Sequence, residues 1–311
     1  MPSNNKPSIL ITGGTGLVGT ELCKKFAERG YRVACLLRSK TKIPGIISYS
    51  WDLGKGEIDR EAIETADYII HLAGANIGEK RWTAERKKLI LDSRIKTAEL
   101  IFAKCQEVKH NVKAFISASA VGYYGAITSE RVFAEVDPPS NDFLGEVCRK
   151  WEESADNFKK LNIRSVQIRS GVVLTKRGGI LSKLKIPVQM GIGSALGSGN
   201  QYLPWIHIDD LCGIYVKAVE DVHMQGAYNA VAPEHVTNKG IVEVLARVLK
   251  KPLWLPNVPT FILKLAFGEM SDILLKGSKA SANKIIDDGY VFVYPDLKNA
   301  LINLLRKDCI E

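Results

Sequence analysis

No two cysteines of this chain stand in a Cys-x-x-Cys pair, although there are six, at 23, 35, 105, 148, 212 and 309. No histidine joins them at zinc-ligand spacing, so no metal site is expected. Scattered thiols of this kind suit a reducing compartment, and the expectation is a cytoplasmic protein. Long apolar runs are also missing. None approaches the roughly 20 residues of a membrane-crossing helix, and the apolar segment 261–267 is broken by Lys264. Met1 to Lys6 is polar and joins no basic start to an apolar core, so neither a signal peptide nor a membrane partner is expected. There is no internal repeat and no low-complexity tract.

What is present is a chain of 311 residues, 46% hydrophobic, long enough for a packed core and roughly two domains. The net charge of +9 raises the question of a nucleic-acid partner. The basic residues are dispersed, however, and the densest run, Lys80-Arg81 with Arg86-Lys87-Lys88, includes Glu79 and Glu85. A solvated helix face accounts for such a mixed run better than a phosphate-binding patch does, and no nucleic-acid partner is expected. An anionic cofactor and an anionic small-molecule substrate would use part of the charge.

The most informative stretch is Ile9-Leu10-Ile11-Thr12-Gly13-Gly14-Thr15-Gly16-Leu17-Val18-Gly19. It opens as a short apolar run, which reads as a buried strand, and leads through glycines into the amphipathic segment Thr20 to Arg29. Strand, glycine turn and helix form the setting of a dinucleotide-binding fingerprint. Gly13 permits the turn, Gly16 lets backbone amides approach a pyrophosphate, and Gly19 lets the helix pack close to the strand. Thr15, Leu17 and Val18 complete the candidate cofactor loop, and the helix amino end offers free N–H groups to the anion.

The second strand, Tyr31 to Leu37, is followed by Arg38-Ser39-Lys40, where binders of NAD usually carry an acid for the ribose hydroxyl. With no carboxylate there and Arg38 placed to pair with a 2′-phosphate, NADP(H) is the expected cofactor. Asp67 to Ala75 reads as the fourth strand. Small residues at its end, Leu72-Ala73-Gly74, would let a cofactor pass. His71 lies within that strand and reads as a packed histidine. A polar loop with Arg81 and Trp82 follows, and Thr83 is a plausible cap for a long helix. Arg94 sits one position off the apolar face of that helix, either exposed or as a cation near the cofactor.

The Gly-x-x-Gly-x-x-Gly spacing, His71-Leu72-Ala73-Gly74, the serine-rich strand end Ser117-Ala118-Ser119 before Tyr124-Gly125, and Ile206-His207-Ile208-Asp209-Asp210 together resemble extended short-chain dehydrogenases/reductases over essentially the whole chain. Gly74-Ala75-Asn76 with Arg81-Trp82, the 143–152 segment, the Gly197-to-His207 run and Gly289-Tyr290 are similar to an atypical branch, the epimerase-family or SDR39U1-like proteins. The resemblance implies an α/β fold, a Rossmann-type doubly wound parallel sheet in the order 3-2-1-4-5-6 extended by one strand. It implies a cofactor domain over 1–175, rejoined by about 203–232, and a smaller substrate region over 176–202 and 233–311. Asp52 would contact adenine, or else serve as a turn residue. Ser170, in the sixth strand Ser165 to Leu174, would line the nicotinamide side. One of Asp209 and Asp210 would cap the helix Leu211 to Glu220.

The departure from the family concerns chemistry. The Tyr-x-x-x-Lys pair expected on the helix 141–160 is absent, and alignment on Glu152 puts Leu144 and Cys148 at its two positions. The nearest hydroxyls are Ser119 and Tyr124, taken as candidate catalytic residues, with Arg94 as the cation that would lower the tyrosine pKa. Tyr123 and Tyr124 could equally pack over the cofactor. Arg81, Trp82, Arg94, Gln201 and His207 are the candidate substrate residues, each with a structural alternative. Two functions stay open: an NADP-dependent oxidoreductase or epimerase on a sugar-like or nucleotide-linked substrate, and a cofactor-binding protein without turnover.

Overall fold

The computed structural model describes residues 6–38 and 44–305. Ser39, Lys40 and Cys309 lie outside the described residues. The strands are β1 (Ser8–Thr12), β2 (Arg32–Leu37), β3 (Ile47–Asp52), β4 (Glu57–Ile58), β5 (Tyr68–His71), β6 (Ala114–Ala120), β7 (Val132–Phe133), β8 (Arg164–Ser170), β9 (Val172–Thr175), β10 (Trp205–His207), β11 (Gly226–Ala230) and β12 (Lys279–Ala280). The helices are α1 (Leu17–Glu28), α2 (Arg60–Glu64), α3 (Ala84–Glu107), α4 (Phe143–Asp156), α5 (Gly179–Gln189), α6 (Ile208–Glu220), α7 (Asn238–Leu249), α8 (Thr260–Phe267), α9 (Asp272–Leu275), α10 (Asn283–Asp287) and α11 (Leu297–Leu305).

Eight strands form one sheet in the order β11-β8-β6-β5-β1-β2-β3-β4, parallel except for the short β3–β4 edge pair. Setting aside that edge strand, the expected doubly wound order extended by one strand is present. The period of the strands explains why helices cover both faces. Ile9, Ile11, Val33, Cys35, Ile70 and Ile116 point into one core. Leu10, Ala34, Leu36, Ile69 and Phe115 alternate into the other. A strand buried on both faces carries apolar residues on both, as Ile9, Leu10 and Ile11 do in the middle of β1, which is buried from end to end.

The expected sixth strand is in fact two. β8 stays in the sheet, while β9 leaves it and pairs in parallel with β10. The break falls at Gly171, where an added Cβ would stand 2.6 Å from the Pro204 carbonyl oxygen. A continuous strand-like run does not by itself reveal such a change of partner, because the residues on both sides of Gly171 are in strand conformation.

The cap of α6 also differs from expectation. His207 is the cap, its Nδ1 accepting from the Asp209 amide at 3.1 Å, and the helix starts at Ile208. Asp210 instead lies in the first turn, fully buried. Its carboxylate accepts from the Val293 amide at 2.7 Å, the Tyr294 amide at 3.0 Å and the Tyr290 hydroxyl at 3.1 Å. One aspartate thereby fixes the 290–294 segment against α6, while the amino end of the helix favours its negative charge. Among the described residues, no helix is long and apolar enough to cross a membrane.

Removing that carboxylate would leave the Val293 and Tyr294 amides without this acceptor, while the Tyr290 hydroxyl keeps the Asp210 main-chain carbonyl at 3.0 Å. Asp210→Ala is expected to cost about 3 kcal/mol, read as a lowered urea midpoint. A loss within about 0.5 kcal/mol, the range of ordinary surface substitutions, would show that the segment is held by its other contacts.

Candidate cofactor groove and the buried polar network beside it

The glycine turn is built as a cradle. Gly13 has φ +71, and a Cβ there would meet the Leu72 carbonyl carbon at 3.1 Å. A Cβ on Gly19 would stand 2.2 Å from the Gly13 carbonyl oxygen, so only glycine permits this approach of α1 to the end of β1. Gly16 caps α1 without a side-chain hydrogen bond, and the first turn carries no acid. The amides there are left for an anion.

A groove of about 480 Å³ opens along this turn. Among the predicted cofactor residues, Gly13, Thr15, Gly16, Arg38, Leu72, Ala73 and Gly74 line it together. The others lie outside its lining. Leu17 packs toward the Gly178–Gly179 backbone, Val18 packs on the core, and the Ser170 hydroxyl donates to the Ser119 carbonyl at 3.2 Å. Asp52 turns away: its Oδ1 accepts from the Gly54 amide at 2.9 Å and the Lys55 amide at 3.2 Å, so it is the turn residue of the two readings. Trp51 and Leu53 on either side of it form that part of the wall.

Arg86 is a groove residue that sequence reasoning placed on a solvated face. Its side chain is only 11% exposed, and its guanidinium donates to Glu79 at 2.9 Å and to the Asn76 carbonyl. The Arg86 Nε is buried with no protein acceptor. A run of mixed charge cannot show which member turns inward. With the uncapped helix end and Arg38, this donor set suits a phosphate-bearing ligand.

Beneath the groove, Thr12 Oγ1 accepts from the Leu72 and Ala73 amides, both at 3.1 Å, and donates to His71 Nδ1 at 2.9 Å. That leaves the proton of His71 on Nε2, facing the Arg94 carbonyl at 3.3 Å and the Thr97 hydroxyl at 3.1 Å. His71 is therefore the packed histidine expected, and it holds the two strand ends that form the groove floor. Arg94 lies behind the groove wall, its guanidinium against Gly74 and 4.8 Å from the Trp151 ring. Its Nη1 donates to the Ala75 and Ile90 carbonyls at 3.1 and 2.9 Å.

The two candidate catalytic hydroxyls belong to one buried network. Ser119 Oγ donates to Glu152 Oε1 at 2.6 Å, and Arg169 holds both oxygens of Glu152 at 2.8 Å. Arg169 Nη1 also donates to the Tyr124 hydroxyl at 3.0 Å, which in turn donates to Asn229 Oδ1 at 2.8 Å. The cation beside Tyr124 is thus Arg169 and not Arg94. Burial outweighs it, and the Tyr124 phenol is pushed up to about 12 instead of being lowered. Glu152, Arg169 and Asn229 were not singled out as site residues. The available signal was Arg169 next to the apolar Ile168 inside a strand read as buried, since a buried arginine demands an acid partner.

Leu144 and Cys148 project from α4 toward the loop after β6, where an added Cβ on Gly122 would lie 3.5 and 3.7 Å from them. Burial pushes the Cys148 thiol up to about 12, so neither position holds a group that titrates near neutrality. The five candidate substrate residues are committed to different parts of the fold. Arg81 donates to the Ala266 and Leu265 carbonyls of α8, and Trp82 Nε1 donates to the Ile77 carbonyl at 3.0 Å. Gln201 donates to the Leu196 and Leu274 carbonyls at 3.0 and 2.8 Å. His207 is buried as the α6 cap with its ring 3.9 Å from that of Tyr294. These four and Arg94 hold loops and helices in place, and they do not converge on one pocket.

His71 makes stability depend on pH. Burial lowers its pKa from 6.5 to about 4. Between those values the unfolded chain takes up a proton that the folded chain refuses, so stability falls as pH drops through that window. Urea unfolding from pH 7 to 4.5 should show this decline. The slope should be shallower in His71→Gln by up to about 1.4 kcal/mol per pH unit, one proton's worth. Equal slopes in both proteins would exclude His71 as the source.

Comparison with known proteins places this geometry. Residues 9–143 match the NAD dependent epimerase/dehydratase family, and residues 258–304 match a domain of unknown function, DUF1731. The chain is 36% identical over 298 residues to the mouse epimerase family protein SDR39U1, covering 94% of this chain and 98% of that protein. It is also 36% identical to the epimerase family protein YfhF of Bacillus subtilis, covering 96% and 98% of the two chains. The crystal structure of human SDR39U1 with NADPH superposes with a TM-score of 0.84 at 31% identity, covering 96% of this chain and 98% of the other. Sharing fold, length and sequence with these relatives, the chain belongs to the SDR39U1-type epimerase family.

Proposed function

We propose that the chain binds NADP(H) in the groove and acts as an oxidoreductase or epimerase on a sugar-like or nucleotide-linked substrate. The observation that carries the reading is the uncapped amino end of α1 bordering a groove lined by Arg38 and Arg86. The human relative's structure with NADPH supports the same cofactor here. When bound, that cofactor supplies or accepts a hydride. Arg38, at the end of β2 where an acid would favour NAD, would pair with the 2′-phosphate.

Proton handling falls to the end of β6. Ser119 is the hydroxyl in this reading that exchanges a proton with the substrate, and Glu152 accepts from it and orients it. Tyr124 is the second candidate. Its phenol is bound between Arg169 and Asn229, which makes it chiefly a brace for that geometry. The second reading, a cofactor-binding protein without turnover, is favoured by one observation: positions 144 and 148 carry no group that titrates near neutrality.

Fluorescence titration should give tighter binding of NADPH than NADH. Arg38→Ala should weaken NADPH by roughly 10- to 100-fold, the worth of a charged hydrogen bond, and leave NADH unchanged. Equal affinity for both cofactors, unaltered by the substitution, would defeat the specificity.

Hydride transfer would be assayed against sugar nucleotides and small carbonyl compounds. Loss of a proton-transfer group costs about 100- to 10,000-fold, so Ser119→Ala should lose at least 100-fold in kcat. Tyr124→Phe should lose less. Turnover that persists in both variants would exclude these residues, and tight NADPH binding without any turnover would favour the second reading.

A further inference from the structure

A second cavity, apart from the cofactor groove and of opposite chemistry, lies among α5, α7 and α8. Its volume is about 280 Å³. Ile180, Leu184 and Val188 of α5, Val242 of α7, and Leu263 and Phe267 of α8 make its walls. Its rim is a hydrogen-bonded loop and not a loose flap. The Gly197 amide donates to the Val258 carbonyl at 2.9 Å, and the Val258 amide to the Ala195 carbonyl at 2.8 Å. Asn238 Oδ1 accepts from the Leu196 amide at 2.8 Å. Gln201, expected in a polar substrate site, spends its amide on the Leu196 and Leu274 carbonyls.

This arrangement decides what the cavity can hold. An ordered water needs two to four polar partners. No residue lining this cavity has a buried side-chain polar atom left without a partner among the described residues. A sugar or a diphosphate would find its hydroxyls and oxygens facing Leu, Ile, Val and Phe, with desolvation uncompensated. An apolar body finds matching surface. An empty apolar cavity of about 150 Å³ holds benzene, so one nearly twice that size has room for about eleven non-hydrogen atoms.

The titratable side chains lining the cavity are Lys183, Tyr202 and Lys276, and the Tyr202 hydroxyl donates to Glu130 at 3.0 Å. Lys276 is paired with Asp272 at 2.9 Å. Lys183 is exposed and forms no ion pair among the described residues, so the cavity carries one uncompensated positive charge. We propose that this cavity is a binding site for an aliphatic monocarboxylate of about eight to ten carbons, its chain among α5, α7 and α8 and its carboxylate at Lys183. The site is independent of turnover at the cofactor groove, and its test uses neither NADPH nor an activity assay.

The test is calorimetric titration of the full chain with octanoate and, as the uncharged counterpart, with octanol. Octanoate should bind saturably at one site, about fivefold tighter than octanol, the margin of one exposed ion pair. Lys183→Gln should abolish that margin by weakening octanoate alone. Leu184→Phe and Val242→Phe fill the cavity from opposite walls, and either one that keeps the parent thermal unfolding profile should lose both ligands. Three results would each overturn the proposal: no saturable octanoate binding to the parent chain, equal affinity for octanoate and octanol, or undiminished binding in a folded cavity-filled variant. If both filled variants unfold, Lys183→Gln decides: an unchanged margin overturns the site, and a lost margin supports it.

Discussion

The close approach of α1 to the end of β1 is the constraint on which the cofactor groove depends. Gly19 must lie where any side chain would strike the Gly13 carbonyl oxygen, and Gly13 must take a left-handed backbone turn. Those two conditions bring the open end of α1 to the carboxyl edge of the sheet, where open α/β sheets hold their ligands. The edge itself is held by Thr12, which ties β1 to the segment after β5 through three hydrogen bonds and reaches α3 through His71. The groove is thus a consequence of how tightly a helix and two strand ends can pack, with Arg38 and Arg86 added as cations on its wall.

On the other side of the sheet edge, the same family scaffold carries a different kind of polar chemistry. Where a tyrosine and a lysine would project from α4, Leu144 and Cys148 do. The charge that remains nearby, Glu152, is neutralised by Arg169 in a two-pronged pair with side-chain exposures of 13% and 4%. A buried carboxylate and guanidinium in this geometry fix each other and whatever they hydrogen-bond. Ser119 and Tyr124 are consequently positioned residues. The chemistry proposed for Ser119 draws on that positioning, and the elevated pKa of Tyr124 comes from its burial.

The C-terminal region is joined to the rest of the chain by the buried Asp210, by exposed polar contacts and by its apolar faces. Asp210 holds the 290–294 segment, Arg81 ties the loop before α3 to α8, and the Lys87–Glu269 pair ties the first turn of α3 to the segment after α8. The apolar cavity among α5, α7 and α8 is a property of this region, with walls that share almost no chemistry with the cofactor groove.

By itself the sequence determined the glycine cradle and the absence of the tyrosine–lysine pair, and its resemblance to a known family implied the doubly wound sheet. The first two follow from backbone angles that glycine alone tolerates and from residue identity at fixed spacing. It also marked His71 as packed, since a histidine inside a buried strand has no access to solvent. Tertiary structure alone decided what each polar side chain faces. Arg86 turned inward from a charged run, Asp52 turned into its own loop, Arg169 took the place assigned to Arg94, and β9 left the sheet at Gly171. The orientation of a long side chain depends on partners far away in the chain: Glu152 meets Arg169 across 17 residues and Asp210 meets Val293 across 83. No local pattern carries that information, because the free energy of a buried charge is set by the acceptor or donor that the fold delivers to it.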